Sequence, residues 1–192
     1  AHFRIAWRLF KRFRRVFLLS VLLLFASWVC LEIAVVVLRS WGIALHVALH
    51  IGFLILWSGL MVGIHRMALQ VVDGQVPAMS DLTAFLRRGP SFLLAASLYS
   101  VAVFSGLLLL VLPGAYVAVR YALFGHAIAT GEASAVDALR DAGALCEGRW
   151  WSLCYFMLLV LAFNLVGAAL LGLGLLLSFP VSLLATASLF RT

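Results

Sequence analysis

Long apolar stretches, repeated along the chain, constrain its fold more than any other feature. A helix needs about 20 apolar residues to cross the roughly 30 Å hydrocarbon core of a bilayer, because it rises 1.5 Å per residue. Of the 192 residues, 66% are hydrophobic and only 11% are charged. A soluble domain of this length could not bury that much apolar surface. The sequence therefore predicts an integral membrane protein with an all-α fold.

Breaks between the apolar stretches predict about six transmembrane helices in a single membrane domain, residues 1–192. Pro113-Gly114 is expected to form a tight turn between the third and fourth spans, and "GLG" at 172–174 to divide the last apolar region. The second span is expected to continue into the cytoplasm through "HRMALQ". The predicted spans cover residues 16–38, 42–64, 91–112, 115–130, 150–170 and 175–190.

The basic residues indicate how the chain is oriented. If the N-terminus is cytoplasmic, 12 of the 14 basic residues fall on the cytoplasmic side; Arg39 lies outside and Arg120 within the fourth span. Cytoplasmic loops of membrane proteins carry such an excess of Lys and Arg. The pattern predicts a multi-pass membrane protein with both termini in the cytoplasm. Because the basic residues sit at span ends, the net charge of +7 is not taken to indicate nucleic-acid binding.

Three segments that precede spans are expected to form amphipathic helices on the cytoplasmic surface. Two begin at Ser80 and Ser134, and Ser134 has Asp137 at the spacing of a capping box. The third covers residues 3–15, and its basic face should contact anionic lipid. Together they suggest three pseudo-repeated hairpins, each with a surface helix. The basic face of the N-terminal helix consists of Arg4, Arg8, Lys11, Arg12 and Arg15.

Two charged residues are predicted to lie inside the bilayer, where charges are costly and often functional. Glu32 and Arg120 are placed at similar depths below the outer surface, each seven residues from the outer end of its span. Their opposite charges suggest an ion pair, interpreted as a structural clamp because no nucleophile or second acid accompanies it. The alternative is that each side chain snorkels or finds another partner.

Four uncharged polar side chains are expected near the same depth: His46, His50, Ser105 and Asn164. They could line a small polar pocket, or they could make separate interhelical hydrogen bonds, as membrane helices routinely do. His46 and His50 share a helix face, so either is a weak candidate ligand for a haem or a chlorophyll-type magnesium. No HExxH glutamate or further ligand motif accompanies them, and no metal site is predicted.

Residues 112–153, "LPGAYVAVRYALFGHAIATGEASAVDALRDAGALCEGRWWSL", carry a family resemblance. An LPG turn leads into a short span with Arg120-Tyr121, a surface helix and a Gly-Arg-Trp entry to the next span. The region resembles a group of uncharacterised bacterial six-helix membrane proteins and the membrane domain of some glycerophosphodiester phosphodiesterases. That resemblance implies the six-helix layout. The catalytic barrel of those enzymes is absent from this sequence, so none of their catalytic residues carries over.

Three functions are compatible with these features, and none is enzymatic because no CxxC, phosphate loop or nucleophile elbow occurs. The first is an accessory or structural subunit that packs against membrane-protein partners. The second is a small transporter or lipid-handling protein that uses the polar residues of the outer half. The third is a subunit that binds a cofactor through His46 or His50.

Overall fold

The computed structural model describes residues 2–38, 42–131, 133–169 and 174–192. Within these ranges the chain forms helices and no strands, which confirms the all-α prediction. The predicted boundary between the first two spans, residues 38–42, lies partly outside the described residues, and so does Arg39. Residues 170–173, at the predicted break in the last apolar region, lie wholly outside them. The helices are α1 His2–Val37, α2 Ile43–Val72, α3 Met79–Ala84, α4 Gly89–Leu109, α5 Val111–Tyr121, α6 Phe124–Ala129, α7 Ala135–Cys146, α8 Trp150–Ala169 and α9 Leu175–Phe190, with one 3₁₀ turn at Leu86–Arg88.

Five helical stretches of the described chain are long and apolar enough to cross a membrane. Three are α1, α2 and α8; α3 and α4 together form another, and α5 and α6 together form the fifth. The α9 helix has the predicted bounds, 175–190, but its 16 residues extend only about 24 Å. The chain is therefore an α-helical protein whose helix lengths and composition are those of a polytopic membrane protein.

The α1 helix joins the predicted surface segment and the first predicted span. It is continuous from His2 to Val37, with a kink at Phe13, where φ is −111° and ψ is 20°. Before the kink, Ala6 and Phe10 are buried. Phe3 packs against Phe156 and Phe163 of α8. The N-terminal segment is thus packed against the bundle through Phe3, Ala6 and Phe10.

The α2 helix continues to Val72, as predicted from "HRMALQ". Its Gly59-x-x-x-Gly63 motif packs against the segment that follows it. A methyl group on Gly63 would lie 2.7 Å from the Cα of Leu82, and one on Gly59 would lie 2.9 Å from the Cα of Leu86. Only glycine permits this backbone approach, so the motif anchors α3 and the 3₁₀ turn to α2.

The turn between α4 and α5 differs from its prediction at Pro113-Gly114. The chain turns at Leu110, which is extended with φ −167° and ψ 150°, and α5 already begins at Val111. Pro113 lies in the first turn of α5, where no helical hydrogen bond needs its missing N–H. Gly114 faces Gly106, whose added methyl group would lie 2.8 Å from the Gly114 Cα. Glycine is needed here for helix contact rather than for the turn.

The α7 helix begins where the capping pattern predicts. Ser134 is the N-cap, and its hydroxyl oxygen accepts a hydrogen bond from the backbone N–H of Asp137 at 3.3 Å. On this helix Val136 is exposed, whereas Gly143 is buried. Small side chains form the buried face, which lets α7 lie close to its neighbours. The buried residues of α7 are Ala135, Ala138, Ala142, Gly143 and Cys146.

Three contacts join the four segments that were predicted to be cytoplasmic. The His2 ring lies 3.0 Å from the Ser188 hydroxyl, which brings the two termini together. Arg191 forms a salt bridge with Asp73 at the end of α2. Arg88 donates a hydrogen bond to the backbone carbonyl of Gly131. The four segments therefore meet at one end of the bundle, which we call the inner end.

Candidate functional site

Arg120 has the most distinctive electrostatic environment among the described residues. Its Nη1 donates a hydrogen bond to the Tyr116 hydroxyl at 2.6 Å. Its Nη2 lies 3.3 Å from a carboxylate oxygen of Glu147. The guanidinium also lies over the rings of Tyr116 and Tyr121, 5.8 and 5.9 Å from their centroids. Arg120 is thus held by α5 itself and by the end of α7.

The predicted ion pair between Glu32 and Arg120 is a point of correction. In the described part of the chain, the salt bridge of Arg120 is with Glu147. Glu32 is exposed on α1, which packs mainly against α9 and α2, whereas α5 packs against α4, α7 and α8. Glu147 follows α7, in a segment of the inner end, so this contact also corrects the predicted position of Arg120 near the outer surface. Glu147 precedes α8 by only a few residues, so sequence reasoning assigned it to the cytoplasmic loop.

A groove beside Arg120 is bounded by α4, α5 and α7, and we call it the Arg120 groove. Its volume is about 520 Å³. Arg140 of α7 lies in its wall with Arg120, while Leu98 and Ala102 of α4 supply an apolar side. The full lining is Leu98, Tyr99, Ala102, Arg120, Tyr121, Val136, Leu139, Arg140, Gly143, Ala144 and Glu147. The groove therefore combines two cations with an apolar wall.

Cys146 of α7 lies near Arg120 but is not part of the groove lining. It is buried on α7, and burial raises the pKa of its thiol, although Arg120 opposes that change. A thiol with a raised pKa is mostly protonated near neutral pH and is a weak nucleophile. Cys146 therefore contributes packing to this site and not reactivity.

A second polar cluster was not identified as a site from the sequence. His65 of α2 and His126 of α6 meet edge to face, with ring centroids 4.7 Å apart. The Nδ1 of His65 lies 2.7 Å from the carbonyl oxygen of Met61, and the Nε2 of His126 lies 3.4 Å from the Thr186 hydroxyl. Gly125 makes this possible, since a methyl group there would lie 2.7 Å from the His65 Nε2. These interactions tie α2, α6 and α9 together in the core.

No signal in the sequence joins the two histidines, because they lie on helices whose relative rotation hydropathy does not define. Each ring makes polar contacts within the core, so the arrangement is more typical of helix packing than of a ligand-binding site. Among the described residues, no group of three or more His, Cys, Asp or Glu side chains is close enough to hold a metal ion.

His46 and His50 both face the backbone of their own helix. The Nδ1 of His46 lies 2.8 Å from the carbonyl oxygen of Gly42, and the Nδ1 of His50 lies 2.8 Å from that of His46. The Nε2 of His46 is also near a carbonyl, that of Val35 at 3.2 Å. A ring nitrogen that donates to a carbonyl oxygen cannot bind a metal at the same time. Only the Nε2 of His50 avoids a carbonyl oxygen of the described chain.

The other two residues of the predicted polar layer are placed separately. Asn164 of α8 donates hydrogen bonds to the carbonyl oxygen of Val160 and to the Ser182 hydroxyl of α9, at 2.9 and 2.8 Å. Ser105 is exposed on α4. Asn164 therefore makes an interhelical hydrogen bond, which was the alternative to a shared pocket, and the structure does not gather the four side chains into one site.

The basic face of the N-terminal segment is exposed, as the sequence predicts. Lys11 lies over the ring of Trp7, 5.3 Å from its centroid, and Arg12 lies over Phe13 at 5.4 Å. These cations flank aromatic rings that can enter the interfacial region of a membrane. The face comprises Arg4, Arg8, Lys11, Arg12 and Arg15, with Arg14 also exposed.

Comparisons of the chain with protein-family models, with curated proteins and with solved structures give no match.

Proposed function

We propose that this chain is a non-catalytic accessory or structural subunit of a larger membrane assembly in the bacterial inner membrane. In this proposal α9 crosses the membrane as well, which gives six spans in three pseudo-repeated hairpins. The inner end faces the cytoplasm, since 12 of the 14 basic residues belong to that side of the proposed topology. The relation to the six-helix bacterial proteins and phosphodiesterase membrane domains remains part of the proposal.

The observation that supports an accessory role is how little of several helices the chain itself covers. In the most apolar part of each stretch, 39% of the residues of α2 are buried, but only 17% in α1, 17% in α8 and 11% in the stretch ending with α4. Membrane helices associate through close packing of small and apolar side chains. Helices that bury so little against their own chain present faces on which helices of a partner protein can pack.

The polar residues favour this role over the transporter alternative. A transporter that uses the outer half would need its polar side chains to line a common path, yet His46 and Asn164 bond to separate helices. The cofactor alternative is reduced to His50, whose Nδ1 faces a carbonyl oxygen while its Nε2 faces none in the described chain, an arrangement that metal-binding histidines share.

Photo-crosslinking in intact membranes tests the proposal. A photoreactive residue at Phe104 of α4 or Leu158 of α8, both exposed, should yield adducts with one or a few discrete membrane proteins. The matched control is Leu184 of α9, which is fully buried and should yield only adducts within the chain. Lipid adducts alone at both exposed positions, with migration as a lone monomer in mild detergent, would contradict it. Adducts of twice the chain mass would indicate a second copy as the partner instead.

A further inference from the structure

The Arg120 groove holds a charged side chain whose hydrogen-bonding capacity is only partly used. A guanidinium has five N–H donors. Two of the donors of Arg120 meet described partners, the Tyr116 hydroxyl and the Glu147 carboxylate. Its Nε is shielded from solvent and has no hydrogen-bond partner among the described residues. One N–H on each Nη also meets no partner among the described residues, and these two donors are the ones that a further acceptor in the groove could reach.

We propose that the Arg120 groove binds the phosphate headgroup of an anionic phospholipid, with the acyl chains of that lipid along α4. This site does not depend on the accessory role proposed above. Arg120 would present its two Nη groups to two phosphate oxygens, the forked geometry that arginine offers to phosphate. Arg140, across the groove on α7, adds a second cation.

Glu147 does not cancel this charge. Its side chain is 71% exposed, while that of Arg120 is 29% exposed, and their closest atoms are 3.3 Å apart. An exposed ion pair of that length contributes little. Glu147 can turn toward solvent when a phosphate approaches, which leaves two arginines facing the anion.

The apolar wall favours a lipid over a free phosphate. Leu98 and Ala102 are one helical turn apart on α4, and both are exposed within the groove. Val136 of α7 is exposed beside them. An inorganic phosphate would gain nothing from these surfaces, whereas an acyl chain would cover them.

The groove lies between a helix of a membrane-spanning stretch and a helix outside such stretches. Arg120 belongs to an apolar stretch long enough to span a membrane, but α7 lies outside such stretches. The groove therefore lies where a span meets a surface helix. Basic pockets between membrane helices at the cytoplasmic side bind the headgroups of anionic lipids.

Native mass spectrometry of the purified full-length protein tests this inference. The protein is titrated with phosphatidylglycerol and with phosphatidylcholine of the same acyl chains. One phosphatidylglycerol should bind about tenfold more tightly than phosphatidylcholine, and the double variant Arg120→Gln/Arg140→Gln should lose that preference. The matched control, Arg87→Gln/Arg191→Gln, removes two exposed cations that lie outside both the groove and the N-terminal basic face, and it should keep the preference.

Equal retention of the two lipids by the wild-type protein would overturn the inference, and so would an unchanged preference in the double variant. Glycerol phosphate that binds as tightly as the lipid would also overturn it, because the apolar wall would then contribute nothing. If the double variant misfolds, Arg140→Gln alone serves as the test, because its side chain is exposed. That variant should weaken phosphatidylglycerol binding several-fold and leave phosphatidylcholine unchanged, and no change would contradict the site.

Discussion

The two halves of α2 have similar composition but opposite surroundings. From Ile43 to Trp57 none of its residues is buried. From Ser58 to Val71 eleven are buried, and α2 packs against α1, α3, α4, α6 and α9. Both halves are apolar and helical, so hydropathy treats them alike. The difference teaches that the chain makes its own core at the inner end, and that the other half needs lipid or partner helices to cover it.

The inner half is held by features that the outer half lacks. It has glycines that admit another backbone, the histidine pair with α6, and polar contacts among the four segments of the inner end. In the outer half, Gly52 has open space where a side chain would be. Substitutions at matched positions can therefore separate the two halves.

The largest difference is expected from shortening a side chain. Ile64 is fully buried, whereas Ile51 is 54% exposed on the same helix. Ile64→Ala should lower the free energy of unfolding by about 2–5 kcal/mol, because it leaves a cavity in the core. Ile51→Ala should lower it by less than about 1 kcal/mol. Reversible unfolding in mixed micelles measures both, and equal losses would remove the distinction between the halves.

A smaller but more specific difference is expected from adding a methyl group. Gly63→Ala places a Cβ against the Leu82 backbone and should destabilise by about 1–3 kcal/mol. Gly52→Ala meets no atom within 4 Å and should stabilise by about 0.5–1 kcal/mol, because alanine favours the helix. The same unfolding experiment shows whether each substitution raises or lowers the free energy of unfolding. A stabilising Gly63→Ala would show that α3 does not pack there.

The smallest effect is expected at the salt bridge between Asp73 and Arg191, which joins the ends of α2 and α9. Both side chains are more than a third exposed. Their coupling in a double-mutant cycle with Asp73→Asn and Arg191→Gln should be about 0.2–1 kcal/mol, and it should shrink as salt is added. A larger, salt-independent coupling would mean that the pair is shielded from water by another molecule.

Features that depend on local sequence were predicted well. The bounds of α9, the N-cap at Ser134, the continuation of α2 and the exposed basic face all follow from helix periodicity, capping and charge placement. Each depends on residues within a few positions of one another, which is the range over which such rules act.

Features that depend on helix rotation were not predicted. Pairing Arg120 with Glu32 assumed that both lie near the outer surface, but Arg120 contacts Glu147 beside α7, and α1 packs mainly against α9 and α2. The contact between His65 and His126 depends on the same order. The α4–α5 turn moved to Leu110 because Pro113 fits the first turn of a helix as well as it fits a loop.

The central claim is that the four inner segments share the cytoplasmic side of one membrane, with the outer half of α2 reaching the opposite face. Labelling of single cysteines by a membrane-impermeant reagent tests it directly, in a variant without the three native cysteines. A cysteine at Ala44 should be labelled in intact cells, whereas cysteines at Ser80 and Ser134 should be labelled only after permeabilisation. All three positions are exposed, so burial does not protect them. Labelling of Ser80→Cys or Ser134→Cys in intact cells would contradict the account.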